Sequence, residues 1–173
     1  EAVMKRDAQI NDLEGVIDEE TSLLIAKRSP AAGDLRNIMM MLKIITDLER
    51  MGDEAAKIAR STTRIFEDNR MSKPRFTEIK GMAKAVQGMI KTALNSFARL
   101  DLSDTIDILE KDKQVDDDYR SCMRQLLTFM LEDPRTISMS LESMFIAKSL
   151  ERIGDHAVNI SQSVIYTVKG KDV

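Results

Sequence analysis

The sequence has few of the residues that cross-link, kink or stiffen a small protein. Its 173 residues include one cysteine, three prolines and no tryptophan. The single cysteine, Cys122, excludes an internal disulfide and is typical of a reducing compartment. We therefore expect it to be a small apolar side chain buried on a helix. The apolar run IMMML at 38–42 is too short to span a bilayer and is followed by Lys43.

The sequence also lacks the patterns that mark nucleic-acid binding and common enzyme sites. A net charge of -3, without a track of Lys and Arg residues, argues against DNA or RNA as a partner. The one histidine, His156, excludes the usual hydrolase triads, and Ile153 stands where the Glu-x-x-His motif of di-iron proteins needs a glutamate. No glycine-rich phosphate loop is present either, so we expect that the chain is not an enzyme.

Apolar residues recur at steps of three and four along nearly the whole chain, which is the period of an α-helix. The pattern predicts five helices, at about 2–28, 31–67, 75–99, 104–131 and 135–168. Pro30 breaks the first helix from the second, residues 68–74 form a loop, and Ser103 is expected to cap the fourth helix. Pro134 suits the first turn of the fifth helix, and Gly170 is expected at its C-terminal cap.

An internal repeat organises these helices. LERMGDEAAKIA at 48–59 is repeated as LERIGDHAVNIS at 150–161, and RDAQIND at 6–12 resembles KDKQVDD at 111–117. The first and second helices therefore match the fourth and fifth, whereas the third has no counterpart in the first half. The repeat predicts an all-α protein of two tandem three-helix bundles, residues 1–70 and 71–173. The opening helix of the first bundle is expected in a segment of roughly 35–50 residues preceding Glu1.

Two acidic residues lie four apart in each copy of the repeat. Glu49 and Asp53 form one pair, and Glu151 and Asp155 form the other. Like charges at this helical spacing repel each other by about 0.2–0.5 kcal/mol. Each pair shares its helix face with apolar and small residues, including a glycine that costs about 1 kcal/mol inside a helix. We therefore expect a neighbouring group to approach closely beside each pair.

The partner helices carry matching polar residues. An antiparallel bundle brings these rows together, and the crowded carboxylates must then bind protons or a cation. Oxygen ligands suit magnesium, calcium, manganese or iron ions. The predicted metal ligands are Asp7, Asn11, Glu49 and Asp53 in the first half and Asp112, Asp116, Glu151 and Asp155 in the second. His156 and Asn159, one helical turn beyond Asp155, are candidate helpers of the site.

Two alternatives stay open for the acidic residues. Arg50 and Arg152 each follow a motif glutamate, so they can either assist a metal site or simply neutralise the acids through salt bridges. A chain without metal would then be a helical docking module whose acidic face binds a basic partner. Glu14 and Asp18 also form an E-x-x-x-D pair, but no pair matches them in the second half, so we rank them lower as ligands.

Three long segments, residues 26–60, 99–130 and 130–170, resemble the PhoU family of phosphate-specific transport accessory proteins. The two LER[MI]GD blocks within them carry the resemblance most specifically. The resemblance implies two repeated three-helix bundles, the first helix preceding the point where this sequence begins. It also implies a cytoplasmic negative regulator of the phosphate starvation response. That regulator links the ATPase subunit of a phosphate ABC transporter to a membrane-bound sensor histidine kinase, and reaches the membrane only through these partners.

The resemblance has consequences for metal binding and assembly as well. Some PhoU proteins bind iron or zinc clusters through E(D)-x-x-x-D motifs, which here fall on Glu49/Asp53 and Glu151/Asp155, with Asp112/Asp116 beside the second. Iron, zinc, manganese or magnesium ions are thus the expected cofactors. Asn11 stands where the second half has Asp116, which predicts weaker binding in the first half. We also expect a homodimer, because a second copy can fill the apolar groove left without an opening helix.

Overall fold

The computed structural model describes residues 2–67 and 77–169, which form five α-helices and no strand. The helices are α1 (Ala2–Arg28), α2 (Ala32–Glu67), α3 (Thr77–Arg99), α4 (Thr105–Glu132) and α5 (Ile137–Lys169). Their order and bounds confirm the helical prediction to within two residues. The predicted loop at 68–74, the boundary between the predicted bundles and the predicted cap at Gly170 lie outside the described residues. None of the described helices is long and apolar enough to cross a membrane.

The turn between α3 and α4 corrects one prediction. Leu100 adopts a left-handed backbone with φ 51°, and the N–H of Asp101 donates to the carbonyl of Ser96 across 3.1 Å, which closes the end of α3. Ser103 does not cap α4. Its hydroxyl instead donates to Asp101 over 3.0 Å, and Asp104 takes the cap position without a side-chain bond. The Ser103 hydroxyl bonds to the Asp101 carboxylate rather than to the start of α4, because that acceptor lies only two residues away.

The turn between α4 and α5 confirms the expected role of proline. Pro134 opens a short 3₁₀ turn, Pro134–Thr136, that leads directly into α5. The carboxylate of Asp133 accepts a hydrogen bond from the backbone N–H of Arg135 at 3.0 Å, so one of the free donors at the start of the turn is satisfied. Proline fits here because its missing N–H would have no helical partner.

The helices α3, α4 and α5 pack against one another as a three-helix bundle, while α1 packs against α2 and α2 packs against α5. The bundle core is made mostly of unbranched and β-branched aliphatic side chains. Its fully buried members include Met82, Met89, Ile108, Val115, Ile160 and Val164. Cys122 is buried among them, as predicted, and this burial raises the pKa of its thiol. This core is continuous with buried apolar side chains of α2, such as Ile44 and Met51.

Helix α1 differs from the other four long helices because none of its described residues is buried. Within the described residues α1 packs only against α2, and apolar side chains such as Leu13 and Val16 are more than half exposed. Exposed apolar side chains therefore lie on α1, beside which the sequence predicted an apolar groove. That a second copy fills it stays a prediction.

Replacing Ile108 with alanine is expected to lower the free energy of unfolding by about 2–5 kcal/mol, because the side chain is fully buried and its loss leaves a cavity. Ile106, two residues earlier on α4, is 66% exposed. Ile106→Ala is therefore the matched control and should change the free energy of unfolding by less than about 0.5 kcal/mol. Urea unfolding followed by circular dichroism measures both. Equal losses in the two variants would contradict this account of the core.

Candidate functional site

Helices α2 and α5, which carry the two copies of the repeat, pack against each other in antiparallel fashion. The direction is clear from three side-chain contacts that run up one helix and down the other. They are Asp47 with His156 at 2.8 Å, Glu54 with Arg152 at 3.0 Å, and Arg64 with Glu142 at 3.2 Å. This contact joins the two halves of the chain, and the acidic pairs of the repeat lie along the same two helices.

The second half brings four predicted acids together from two helices. Asp112 and Asp116 on α4 face Glu151 and Asp155 on α5. Burial raises the pKa of Asp112 to about 6, and the charges of Asp155, Asp116 and Glu151 add to the effect in that order. Burial and the charge of Glu151 also raise the pKa of Asp155, against a lowering effect of Lys148. These four residues are called the second carboxylate cluster below.

The first half repeats the arrangement with one change. The pKa of Glu49 on α2 is raised by burial and then by the charges of Asp53, Glu14 and Asp7, while Arg50 opposes the shift. Asp7 and Glu14 both come from α1. One oxygen of the Asp7 carboxylate, Oδ1, is buried and has no hydrogen-bond partner within the described residues. Asp7, Glu14, Glu49 and Asp53 form the first carboxylate cluster.

Glu14, which the sequence ranked lower as a metal ligand, lies near enough to Glu49 for its charge to raise the pKa of that residue. The E-x-x-x-D spacing of Glu14 and Asp18 was the available signal, but its lack of a repeat partner counted against it. Asn11, which matches Asp116 in the repeat, is exposed and lines a shallow cavity with Glu14 and Asp18. On α1 the position that matches Asp116 is therefore the amide Asn11, and the negative charge comes instead from Glu14, about one turn further along the helix.

The repeat glycines explain how the rows of acids approach each other. A Cβ placed on Gly52 would lie 2.9 Å from Oδ1 of Asp7, and one placed on Gly154 would lie 3.4 Å from Oδ1 of Asp112. The close approach expected at both glycines is therefore made by a carboxylate of the neighbouring helix. Glycine at 52 is needed for this contact, since a methyl group there would force Asp7 to move.

The donor chemistry of both clusters fits a hard cation, because carboxylates of neighbouring helices face each other and Oδ1 of Asp7 lacks a hydrogen-bond partner among the described residues. Within residues 2–67 and 77–169, however, no three His, Cys, Asp or Glu side chains already stand in a metal-binding arrangement. Cation binding would therefore require some of these side chains to change rotamer.

Two residues expected beside Asp155 instead contact α2. The Nδ1–H of His156 donates to Oδ1 of Asp47 over 2.8 Å, and both side chains are buried. The amide of Asn159 donates to the same oxygen at 3.4 Å. Helical periodicity could not reveal this contact, because it shows which face a residue occupies but not what another helix places opposite.

Arg50 and Arg152, which occupy the same position in the two copies of the repeat, have different neighbours. Arg152 contacts Glu54 at 3.0 Å, and Lys57 contacts the same carboxylate at 2.9 Å. Burial opposes the ionisation of Glu54, but hydrogen bonds from Lys57 and Ser149 hold its pKa below the usual value. Arg50 lies near Glu49, where its charge opposes the rise in the pKa of that glutamate. Among the described residues, the cation paired with Glu151 is Lys148 rather than either arginine.

Comparison with known proteins gives one consistent family. The PhoU domain family matches residues 1–62 and 79–164. The chain is 45% identical over 172 residues to a phosphate-specific transport system accessory protein PhoU homolog of Pseudomonas putida, covering 99% of this chain and 66% of that protein. It is 40% identical over 170 residues to the phosphate-specific transport system accessory protein PhoU of Escherichia coli (strain K12), covering 98% and 70%. The chain thus spans about two thirds of the length of these relatives.

Solved structures agree with the sequence comparisons. The crystal structure of PhoU from Pseudomonas aeruginosa superposes with a TM-score of 0.93 at 44% identity, covering 98% of this chain and 81% of that one. The crystal structure of the phosphate transport system regulatory protein PhoU from Streptococcus pneumoniae gives a TM-score of 0.87 at 27% identity, covering 99% and 80%. The five-helix arrangement is therefore shared beyond the repeat motifs.

Replacing Asp112 with asparagine is expected to stabilise the chain at neutral pH in the presence of a chelator. Because the pKa of Asp112 is raised to about 6, the folded chain holds this proton more tightly than the unfolded chain, whose aspartates titrate near about 4. The contribution of Asp112 to wild-type stability therefore falls as the pH rises from about 4 to about 6 and is then constant. Asparagine removes this loss, worth about 1–2 kcal/mol once solvent screening at a half-buried group is allowed for.

Urea unfolding across this pH range, with EDTA present, measures the difference between the Asp112→Asn variant and wild type. The two should agree near pH 4, differ increasingly as the pH rises to about 6, and keep a constant difference above it. Asp117→Asn, an exposed change on the same helix, is the control and should not stabilise the chain. A constant difference at all pH values would contradict a titrating Asp112.

Proposed function

We propose, from the premise that this chain belongs to the PhoU domain family, that it is an accessory protein of phosphate-specific transport. In this role it acts as a negative regulator of the phosphate starvation response. The observation that carries the proposal is the agreement of sequence and fold along nearly the whole chain with proteins named as accessory or regulatory proteins of phosphate transport. No catalytic step is needed for this role, so we place the chain among non-enzymatic regulators.

The proposed mechanism is that of a cytoplasmic adaptor between the ATPase subunit of a phosphate ABC transporter and a sensor histidine kinase. Two helical units joined along one contact suit an adaptor, because each unit offers a separate surface to a partner. A partner that binds across α2 and α5 favours one packing of these helices over another, and so changes the affinity for the second partner. The buried Asp47–His156 contact and the contact of buried Glu54 with the exposed Arg152 lie between the two helices, where such a change would act.

Direct binding tests the adaptor proposal. The purified chain is expected to bind both the isolated transporter ATPase subunit and the cytoplasmic part of the kinase, with the affinity for one changed severalfold by the other. Surface plasmon resonance with each partner alone and with both measures the coupling. The chain carrying Ile106→Ala, an exposed change on α4, serves to test whether that surface takes part. Binding to neither partner would refute the adaptor role.

The carboxylate clusters are proposed to hold iron, zinc, manganese or magnesium ions that stabilise the two units. Repulsion among Asp112, Asp155 and Glu151, and the unpartnered Oδ1 of Asp7, support a cation at each cluster. A bound cation would supply positive charge between the facing helices. The carboxylates would position it, with the repeat glycines leaving room for the neighbouring aspartate. The alternative is a metal-free docking module whose exposed acids, such as Asp155, contact a basic partner.

Thermal unfolding with and without added Mn²⁺ distinguishes the metal-binding proposal from the metal-free docking module. Saturating metal is expected to raise the melting temperature of the chain by about 5–10 °C. The double variant Glu151→Gln, Asp155→Asn should lose the part of this shift that the second cluster provides, whereas Asp117→Asn should keep it all. Elemental analysis of protein purified without chelator is the parallel readout. No bound metal and no shift, with weaker partner binding by the double variant, would favour the docking module.

A further inference from the structure

Five basic side chains line one cavity along an edge of the α2–α5 contact. The cavity has a volume of about 330 Å³ and is called the basic cavity here. Its basic residues are Lys57, Arg60 and Arg64 from α2 and Lys148 and Arg152 from α5. Two serines, Ser61 and Ser149, also line it and can donate hydroxyl hydrogen bonds. Nothing in the roles proposed above for the carboxylate clusters uses this cavity.

The internal repeat relates this cavity to a second one at the other end of the same contact, between residues 39–50 of α2 and residues 159–166 of α5. A shift by the repeat length of 102 residues relates positions on α2 to positions on α5. Applied to the five basic residues of the basic cavity, this shift leads in every case to a residue that lines the second cavity. Lys57, Arg60 and Arg64 correspond to Asn159, Gln162 and Tyr166, Lys148 corresponds to Thr46, and Arg152 corresponds to Arg50. Four of the five basic positions are therefore neutral in the repeat-related cavity.

This comparison shows that packing does not require the positive charges. The same helix positions, in the same kind of groove, are filled elsewhere in the chain by uncharged polar side chains. The acids in contact with the basic cavity do not account for all of its charge either. Lys57 and Arg152 share Glu54, Lys148 contacts Glu151, and Arg64 contacts Glu142. Three carboxylates thus face five cations, and Arg60 makes no ion pair within the described part of the chain.

We propose that the basic cavity binds a phosphate-class oxyanion, either free phosphate or the phosphate group of a small phosphorylated molecule. Arginine guanidinium groups match the tetrahedral oxygens of phosphate with paired hydrogen bonds, and lysine adds a point charge. The volume lies at the lower end of the range of small-molecule sites, about 300–1,000 Å³. Arg60 and Arg64 project from α2, and Lys148 projects from α5, so one anion can contact both helices.

The position of this site gives the anion a structural effect. Because the ligand would bridge α2 and α5, it stabilises the packing in which these two helices lie together. The proposal extends the proposed function, which requires no ligand at this cavity, and does not depend on the carboxylate clusters holding metal. Failure of anion binding would leave the adaptor role intact, and failure of the adaptor role would leave the anion site intact.

Isothermal titration of the chain with orthophosphate, and separately with pyrophosphate, tests the site at constant ionic strength in a phosphate-free buffer. Arg60→Gln installs the residue that the repeat already uses at 162, and Arg60 is exposed, so the variant should fold as the wild type does. It is expected to bind the anion at least about tenfold more weakly. Lys43→Gln makes the same change of charge in the repeat-related cavity and should alter the affinity by less than about twofold.

The two anions also identify the source of the phosphate group. Comparable affinities indicate free phosphate, whereas clearly tighter pyrophosphate binding indicates a phosphorylated molecule with more than one phosphate. Two results would overturn the proposal. One is that neither anion binds the wild-type chain. The other is that Lys43→Gln weakens binding as much as Arg60→Gln, since that would show general attraction to the surface rather than a site.

Discussion

The antiparallel packing of α2 on α5 is the contact on which the rest of the structure depends. It is the only described contact between the helical pair α1–α2 and the bundle α3–α5, so whatever holds it also holds the two halves of the chain together. Its centre is polar as well as apolar. Buried Asp47 contacts His156, and buried Glu54 contacts Arg152. Each charged group thus has a partner across the interface, which avoids the large cost of an isolated buried charge.

The repeat produces four related features, which are the two carboxylate clusters and the two grooves between α2 and α5. Each half places an acidic pair on its long helix, and a hairpin partner, α1 or α4, supplies the facing aspartate beside a glycine. Repulsion among the acids follows from this construction, and so do their raised pKa values. Where the two long helices meet, the same duplication produces two grooves. The side chains that line these grooves have diverged much more than the acidic pairs have, so the grooves are where the two halves differ in chemistry.

Much of this arrangement could be predicted from the sequence, because it rests on local patterns. Periodicity predicted the helix bounds, and the repeat predicted that the polar rows of neighbouring helices converge and that a group approaches each glycine closely. The distances identify that group as Asp7 at Gly52 and Asp112 at Gly154. The contacts of His156 and Arg152 could not be predicted in this way. Asp47 and Glu54 lie at repeat positions held by Ser149 and His156 in the other half, so nothing in either copy alone indicates a partner. Ser103 failed as a cap because a competing acceptor stood two residues away.

The two polar pairs across this interface have a consequence for how the halves can be exchanged. Asp47 is opposite an imidazole and Glu54 is opposite a guanidinium, while the matching positions in the other copy are a serine and a histidine. Two identical copies of the second half, docked through this face, would set His156 opposite Ser149 twice and supply no carboxylate to either. This interface therefore needs one copy of each half, and the two halves are not interchangeable in it. A gene encoding either unit twice would no longer encode this interface, although it would still encode the helices.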